Sequence, residues 1–362
     1  MTIPSLHKPM QILLFFILLF VAAVYAKPFF VPFTMAALLA MLFLPWCQRM
    51  EQHMPRALAI IICLLCMIVV VAGVVALLSW QLSDLAANAD EIEQNLSRKI
   101  TELRRYIDRT FGISRQQQKE LIKGGQPSGR LQTMVTGFLA GFGGFLTDLI
   151  LVLVYLFLLL YYRTRLHRFV LMLVPQNKQQ QAEKTLLESR KVAQKYLSGM
   201  ALMIACLWVL YGIGFSIVGV KNAIFFAVLC GLLEIVPFIG NLTGTLFTVI
   251  TVFAQGGSGG MVIGVLATYA VIQFVQTYLL EPLVVGAEVS INPLATIAGL
   301  VIGELVWGIP GMVLAIPLLG IVKIICDNVD EWKPVGYLLG SPPKKKRKNL
   351  LRRKSRVNAA AE

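Results

Sequence analysis

Ala223 to Ala254 reads AIFFAVLCGLLEIVPFIGNLTGTLFTVITVFA, and a later stretch, Leu294 to Ile325, reads LATIAGLVIGELVWGIPGMVLAIPLLGIVKII. Each holds about 32 residues, and each is interrupted near its middle by Gly, Pro and a carboxylate. The first carries Gly231, Glu234, Pro237, Gly240 and Asn241; the second carries Gly303, Glu304, Gly308, Pro310 and Gly311. One bilayer crossing takes ~20 apolar residues, so each stretch is too long for one straight helix and short for two. Non-helical backbone at membrane depth is tolerated only where protein covers it or water lines it. Paired interrupted segments in two halves of a chain point to a binding site at the bilayer midplane. The pattern therefore implies an all-α polytopic membrane protein of about seven or eight membrane elements. Its site is expected between two re-entrant helical hairpins related as an inverted repeat.

Composition agrees. The 362 residues are 57% hydrophobic and 14% charged, against ~25% charged in soluble domains. The formal net charge of +14 is placed where topology signals belong, after Tyr162 and in the tail after Lys333. That distribution argues for membrane topology and against a nucleic-acid partner. The run Pro343 to Lys348 at the tail is read as a contact with anionic lipid headgroups rather than as a nuclear-import signal. Cys63 and Cys66 form a C-x-x-C amid Ile, Leu and Val, and are read as small helix- or lipid-facing residues. A Walker-type loop, a nucleotide-binding Gly fingerprint and a paired His-Glu metal helix are all missing from the sequence. The chain is therefore expected to be no enzyme and to use no cofactor or metal.

Taken in order, residues 1–80 predict N-terminal membrane helices. In them Lys27-Pro28 joins two short helices within Met10 to Trp46, and a third runs from Arg56 to about Trp80. Residues 81–130 alternate Leu82, Leu85, Ile92, Leu96, Leu103 and Ile107 with charges at a helical period, which predicts amphipathic helices outside the bilayer core. Residues 131–162 form a further membrane helix that carries Asp148. Residues 163–196 form a polar linker with eight Lys/Arg, and residues 197–325 form a core that holds both broken segments. Residues 326–362 are a basic tail. The positive-inside rule places the linker, the tail and the N-terminus in the cytoplasm.

Glu234 leads the residues expected to carry function, because a carboxylate amid apolar neighbours in a membrane is costly unless paired or hydrated. It either binds a cation, a proton or solute hydroxyls, or caps N–H groups freed where the helix breaks at Pro237. Glu304 is its counterpart in the second segment and invites the same alternatives. Gln273, Gln276 and Thr277 share a helix face and supply uncharged hydrogen-bonding groups, either for a polar solute or between helices. Asn241, with Thr243, Thr245 and Thr248 after it, invites the same pair of readings.

From Arg190 to Gly340 the chain resembles the autoinducer-2 exporter family of bacterial membrane permeases, also called PurR-regulated permeases. The resemblance rests on Glu234-Ile-Val-Pro237-Phe-Ile-Gly240, on Gln273 followed by Glu281-Pro282-Leu-Val-Val-Gly286, and on Val289-Ser-Ile-Asn292-Pro293. It continues through Gly303 and Trp307-Gly308-Ile-Pro310-Gly311-Met312 to Ala315-Ile-Pro317. Asn241, Gln276 and Glu304 depart from the common pattern of the family. The resemblance implies a multi-pass, homo-oligomeric protein of the bacterial inner membrane that exports a small polar solute such as autoinducer-2. A sodium or lithium/proton antiporter is the alternative it implies. A non-transporting scaffold, organised by residues 81–130 and the tail, is a third reading.

Overall fold

The computed structural model describes residues 7–87, 94, 95, 98, 101, 105, 130–236, 239–285 and 291–341. The amphipathic segment expected at 81–130, the basic tail and Pro237 lie largely or wholly outside them. The protein is an all-α membrane protein. Six helices among the described residues are long and apolar enough to cross a bilayer, and a bridge between extended residues pairs Ile291 with Gly340.

Helices α1 (His7–Tyr25) and α2 (Lys27–Met50) are separated at Ala26, because Pro28 opens the second where its missing N–H would be unbonded anyway. The break falls where Lys27-Pro28 predicts it. However, α2 is not short: its 24 residues span ~36 Å at 1.5 Å per residue. Helix α3 (Arg56–Ala87) follows, and α4 (Arg130–Met172) runs ten residues past the apolar stretch that predicts it. The polar linker expected after Tyr162 is itself helical. After a break at Pro175 and a short turn (Gln176–Lys178), α5 runs unbroken from Gln179 to Val218. Its first turns hold Gln, Ala, Glu, Lys and Leu, strong helix formers that continue the apolar half without a stop.

Helix α5 is the spine. Thr185, Ser189, Ala193, Tyr196, Gly199, Met203, Leu207, Tyr211 and Phe215 form one buried stripe along it at steps of three and four. The first broken segment is α6 (Ala223–Leu233) and α7 (Ile239–Ala254); α8 (Gly259–Val275) follows and widens into a π-helical stretch, Gln276–Val285. The second is α9 (Pro293–Trp307) and α10 (Ile309–Asn328), followed by a short α11 (Lys333–Leu339). Asn292 caps α9 by accepting the Ala295 N–H at 2.7 Å, and Pro293 takes the first turn.

The two hairpins are not equivalent. The 11 residues of α6 reach ~17 Å, about half the ~30 Å hydrocarbon thickness, whereas the 20 residues of α10 reach ~30 Å. The first packs on α5 and α8; the second packs on α1, α2, α5 and α11, without a comparable contact to α6 or α7. The sequence leaves open whether the two tips meet; in the structure each hairpin packs on α5 rather than on the other. The tip of the second lies beside α1, where Trp307 Nε1 donates to the Ala23 carbonyl at 3.1 Å. It turns on Gly308 at φ +69°, a conformation only glycine adopts without strain. Pro310 sits in the first turn of α10.

At the opposite end, α2, α3, α4, α5 and α10 come together through polar side chains. Arg163 is bonded to Glu51 at 2.9 Å, and Asn328 Nδ2 donates to Glu188 at 3.2 Å. Gln181 donates to the Asn328 carbonyl. The linker and the first residues of the expected tail therefore share one end of the bundle. Between α2 and α3, Cys63 is buried with its Sγ 3.1 Å from that of Cys47, while Cys66 is exposed.

Gly303 and Gly311 let α9 and α10 touch backbone to backbone: a Cβ on Gly311 would lie 1.9 Å from the Gly303 carbonyl oxygen. Gly311→Ala is therefore expected to lower stability by ~1–3 kcal/mol, the cost of overpacking a tight contact. Gly73→Ala, with no atom within 4 Å of the added Cβ, is the control. Thermal unfolding of the purified protein in detergent compares the two, and an unchanged melting temperature in Gly311→Ala contradicts the close packing.

Candidate functional site

Where α6 stops, Glu234, Ile235 and Val236 wind on into a tight turn. The N–H of Glu234 bonds to Cys230 O at 3.1 Å, that of Ile235 to Leu232 O at 3.1 Å, and that of Val236 to Leu233 O at 2.9 Å. Gly240 returns the chain so close that a Cβ there would lie 1.6 Å from the Leu233 carbonyl oxygen. Gly231, one turn before Glu234, admits the Trp208 indole of α5, which would clash with any Cβ at 2.3 Å. Trp208 Nε1 in turn donates to Val228 O at 3.1 Å. The tip is thus fastened to the middle of the apolar half of α5.

The turn satisfies these backbone N–H groups itself, which leaves the Glu234 carboxylate free for other partners. Its Oε1 accepts from Gln276 Nε2 at 2.6 Å, and the Glu281 carboxylate faces the same amide from the π-helical stretch. A second thread runs alongside. Tyr211 OH donates to Asn241 Oδ1 at 2.8 Å, Asn241 Nδ2 donates to Gln273 Oε1, and Gln273 Nε2 donates to Thr277 Oγ1 at 3.3 Å. The wide turns after Gln276 permit this: such turns recur at functional sites because they rotate side chains out of the ordinary helical register.

The structure brings together five of the six residues singled out for binding: Glu234, Asn241, Gln273, Gln276 and Thr277. Glu304 is elsewhere. It is exposed on α9, one turn before Gly308, whose N–H bonds to the Glu304 carbonyl at 2.7 Å. Asp148 is exposed on α4. Tyr211 and Glu281 join the cluster without having been singled out. Glu281 carried a readable signal as an acid beside Pro282 in an apolar run, whereas Tyr211 looks like any aromatic residue of a membrane helix. Of the threonines after Asn241, Thr248 bonds back to Gly244 O at 2.8 Å.

Three acceptors in this region are left over. Glu234 Oε2, Gln276 Oε1 and Thr245 Oγ1 are buried and have no hydrogen-bond partner among the described residues. Gln276 is 1% exposed and Thr245 3%. Among the described residues, the charged side chain facing Glu234 is another acid, Glu281. The arrangement offers a ligand two acceptor-only oxygens and one hydroxyl, which both accepts and donates.

A family profile described as "AI-2E family transporter" matches residues 13–331. The chain is also similar to three bacterial proteins whose names begin "Putative transport protein". YueF of Bacillus subtilis is 24% identical over 342 residues, 88% of this chain and 92% of that protein. One from Haemophilus influenzae is 23% identical over 345 residues, 93% and 97% of the two chains. YhhT of Escherichia coli is 24% identical over 291 residues, 80% and 81% of the two chains.

The contact between Glu234 and Gln276 is open to a double-mutant cycle. Gln276→Leu and Glu234→Leu are expected to couple by at least ~0.5 kcal/mol in thermal or denaturant unfolding, as bonded neighbours do. Glu234→Leu with Glu304→Leu is expected to be additive. Coupling in the second pair and none in the first contradicts this placement.

Proposed function

The chain belongs to the AI-2E transporter family, and on that premise we propose that it is a secondary transporter that exports a small, hydroxyl-rich polar solute of the autoinducer-2 kind. The observation that carries this reading is the set of unpartnered buried acceptors at Glu234, Gln276 and Thr245. Leaving such a group unsatisfied costs ~1–3 kcal/mol. A solute that presents several O–H donors removes that cost at each of them. A second carboxylate facing Glu234 argues against an anionic solute.

In this reading Glu234 and Gln276 hold the solute at the tip of the half-depth hairpin, while Asn241, Gln273 and Thr277 line the way to it along α8. Tyr211 orients Asn241 from α5. Glu304 plays no part in that pocket and serves at the far tip. The pocket is reached from the membrane faces by rearrangement of α6–α7 against α8, with α5 as the fixed surface. The host membrane is the bacterial inner membrane. The end where Glu51, Arg163 and Asn328 meet is cytoplasmic, because it gathers the basic linker and leads to the basic tail. The working unit is a homo-oligomer. It moves solute without chemical conversion, so it is a transporter rather than an enzyme.

A second reading is favoured by one feature. Glu234 and Glu281 face one amide, and an all-oxygen set suits a hard monovalent cation, with a proton as its competitor on the carboxylates. That would make the protein a sodium or lithium/proton antiporter.

Flux in proteoliposomes separates the two. The first reading predicts efflux of a polyhydroxylated furanone-type solute that is insensitive to sodium, lithium or pH gradients. Glu234→Gln is expected to reduce it roughly tenfold, the loss of one hydrogen bond to a charged group, and Glu304→Gln is expected to leave it intact. Cation-driven proton flux that disappears in Glu234→Gln establishes the antiporter instead. Absence of both fluxes from folded protein overturns both readings and leaves the scaffold.

A further inference from the structure

The end of the bundle where α2 stops, α3 starts, α4 leaves its apolar stretch and α5 enters its own holds a group of arginines that transport does not use. Glu51, in the turn after α2, accepts both terminal nitrogens of Arg163, with one contact at 2.9 Å. Arg56 adds a longer contact, its Nε 3.8 Å from Glu51 Oε1. That nitrogen is buried and makes no hydrogen bond among the described residues. Arg190, on α5, reaches only the neutral amide oxygen of Gln48, at a marginal 3.4 Å. It is partly buried and close enough to Arg163 to be repelled by it. Two guanidiniums thus face one carboxylate and a third, Arg190, stands next to them, so that among the described residues the positive charge here exceeds the negative where four helices converge.

What surrounds the cluster decides what would neutralise it. The apolar span of α3 begins at Arg56, and Leu58 and Ile61 on its first turns are exposed. Trp46 of α2 and Tyr162 of α4, both exposed, stand within a few residues of Glu51 and Arg163. Trp and Tyr gather at the headgroup level of a bilayer. A free anion would use the charge and ignore this apolar skirt, whereas a phospholipid uses both. The geometry points to a specific site for an anionic phospholipid, with its phosphate held by Arg190 and Arg56 beside the Arg163–Glu51 pair. Arginine suits the task, because its planar fork meets two phosphate oxygens at once. Basic pockets between membrane helices on the cytoplasmic side hold lipid headgroups in this way. The acyl chains lie along Leu58 and Ile61. Because α5 carries Arg190 at one end and the hairpin contacts Trp208 and Tyr211 farther along, the lipid braces the helix on which the first hairpin is mounted.

The test uses full-length protein purified in a neutral detergent. Phosphatidylglycerol, phosphatidylcholine or inorganic phosphate is added, and bound lipid is counted by native mass spectrometry alongside thermal unfolding. Wild type is expected to retain phosphatidylglycerol over phosphatidylcholine and to melt higher with it. Arg190→Gln leaves the Arg163–Glu51 pair untouched and is expected to weaken retention about fivefold, the attraction of one basic residue to an anionic lipid surface. Arg56→Gln is expected to do the same. Arg165→Gln, an exposed arginine two residues along α4 from Arg163, is expected to match wild type. Equal loss in Arg165→Gln and Arg190→Gln reduces the effect to general surface charge and overturns the site. An equal melting shift from inorganic phosphate makes it a free-anion site and overturns the lipid assignment. Unchanged retention in both Arg190→Gln and Arg56→Gln overturns it as well.

Discussion

A helix that stops halfway through a bilayer leaves backbone groups that no lipid can satisfy, and the rest of this structure is arranged around one such stop. The chain meets the requirement twice over. The turn from Glu234 to Val236 bonds its own N–H groups to carbonyls of the last helical turn. Glycines at 231 and 240 then let Trp208 and the returning chain close over it. With the backbone accounted for, the side chains at the break are released for other work. Glu234 turns to Gln276 across 42 residues of sequence, and Asn241 links Tyr211 on α5 to Gln273 on α8.

The same requirement is met differently in the second hairpin. Helices α9 and α10 press backbone on backbone through Gly303 and Gly311, and the tip at Trp307-Gly308 lies against α1. One hairpin is half-length with polar groups and open acceptors at its tip. The other has one arm long enough to cross the bilayer, and its packing is close. Helix α5 serves both, carrying Tyr211 and Trp208 to the first and its lower buried stripe to α10.

Much of this was legible in the sequence because it is local. Gly, Pro and an acid inside an apolar run mark a break wherever they occur. The break at Ala26 is therefore where Lys27-Pro28 places it, and both hairpins break within the stretches that Gly, Pro and an acid interrupt. Gln273, Gln276 and Thr277 share a face by helical spacing. What was not legible depends on which helices become neighbours. Residue types in two similar segments leave open whether Glu234 and Glu304 share a site, and only the packing of both hairpins on α5 rather than on each other separates them. Tyr211 contacts Asn241 across 30 residues, and nothing in its own surroundings distinguishes it from Phe215 one turn on. The linker after Tyr162 read as a loop because it is polar, whereas polar residues of high helix propensity simply extend α5 beyond the apolar zone.

Solvent access and solute protection at single cysteines address the central claim directly: the transported solute occupies the space between the first hairpin tip and α8. The six native cysteines are replaced, and Thr245→Cys, Gln273→Cys and Glu304→Cys are made one at a time. Each is exposed in proteoliposomes to a small charged thiol reagent, with and without solute. The account predicts that cysteines at 245 and 273 react and that solute slows both, while the one at 304 reacts at a rate the solute does not change. Protection at 304 with none at 245 or 273, or no reaction at 245 and 273 at all, would place the solute elsewhere and contradict it.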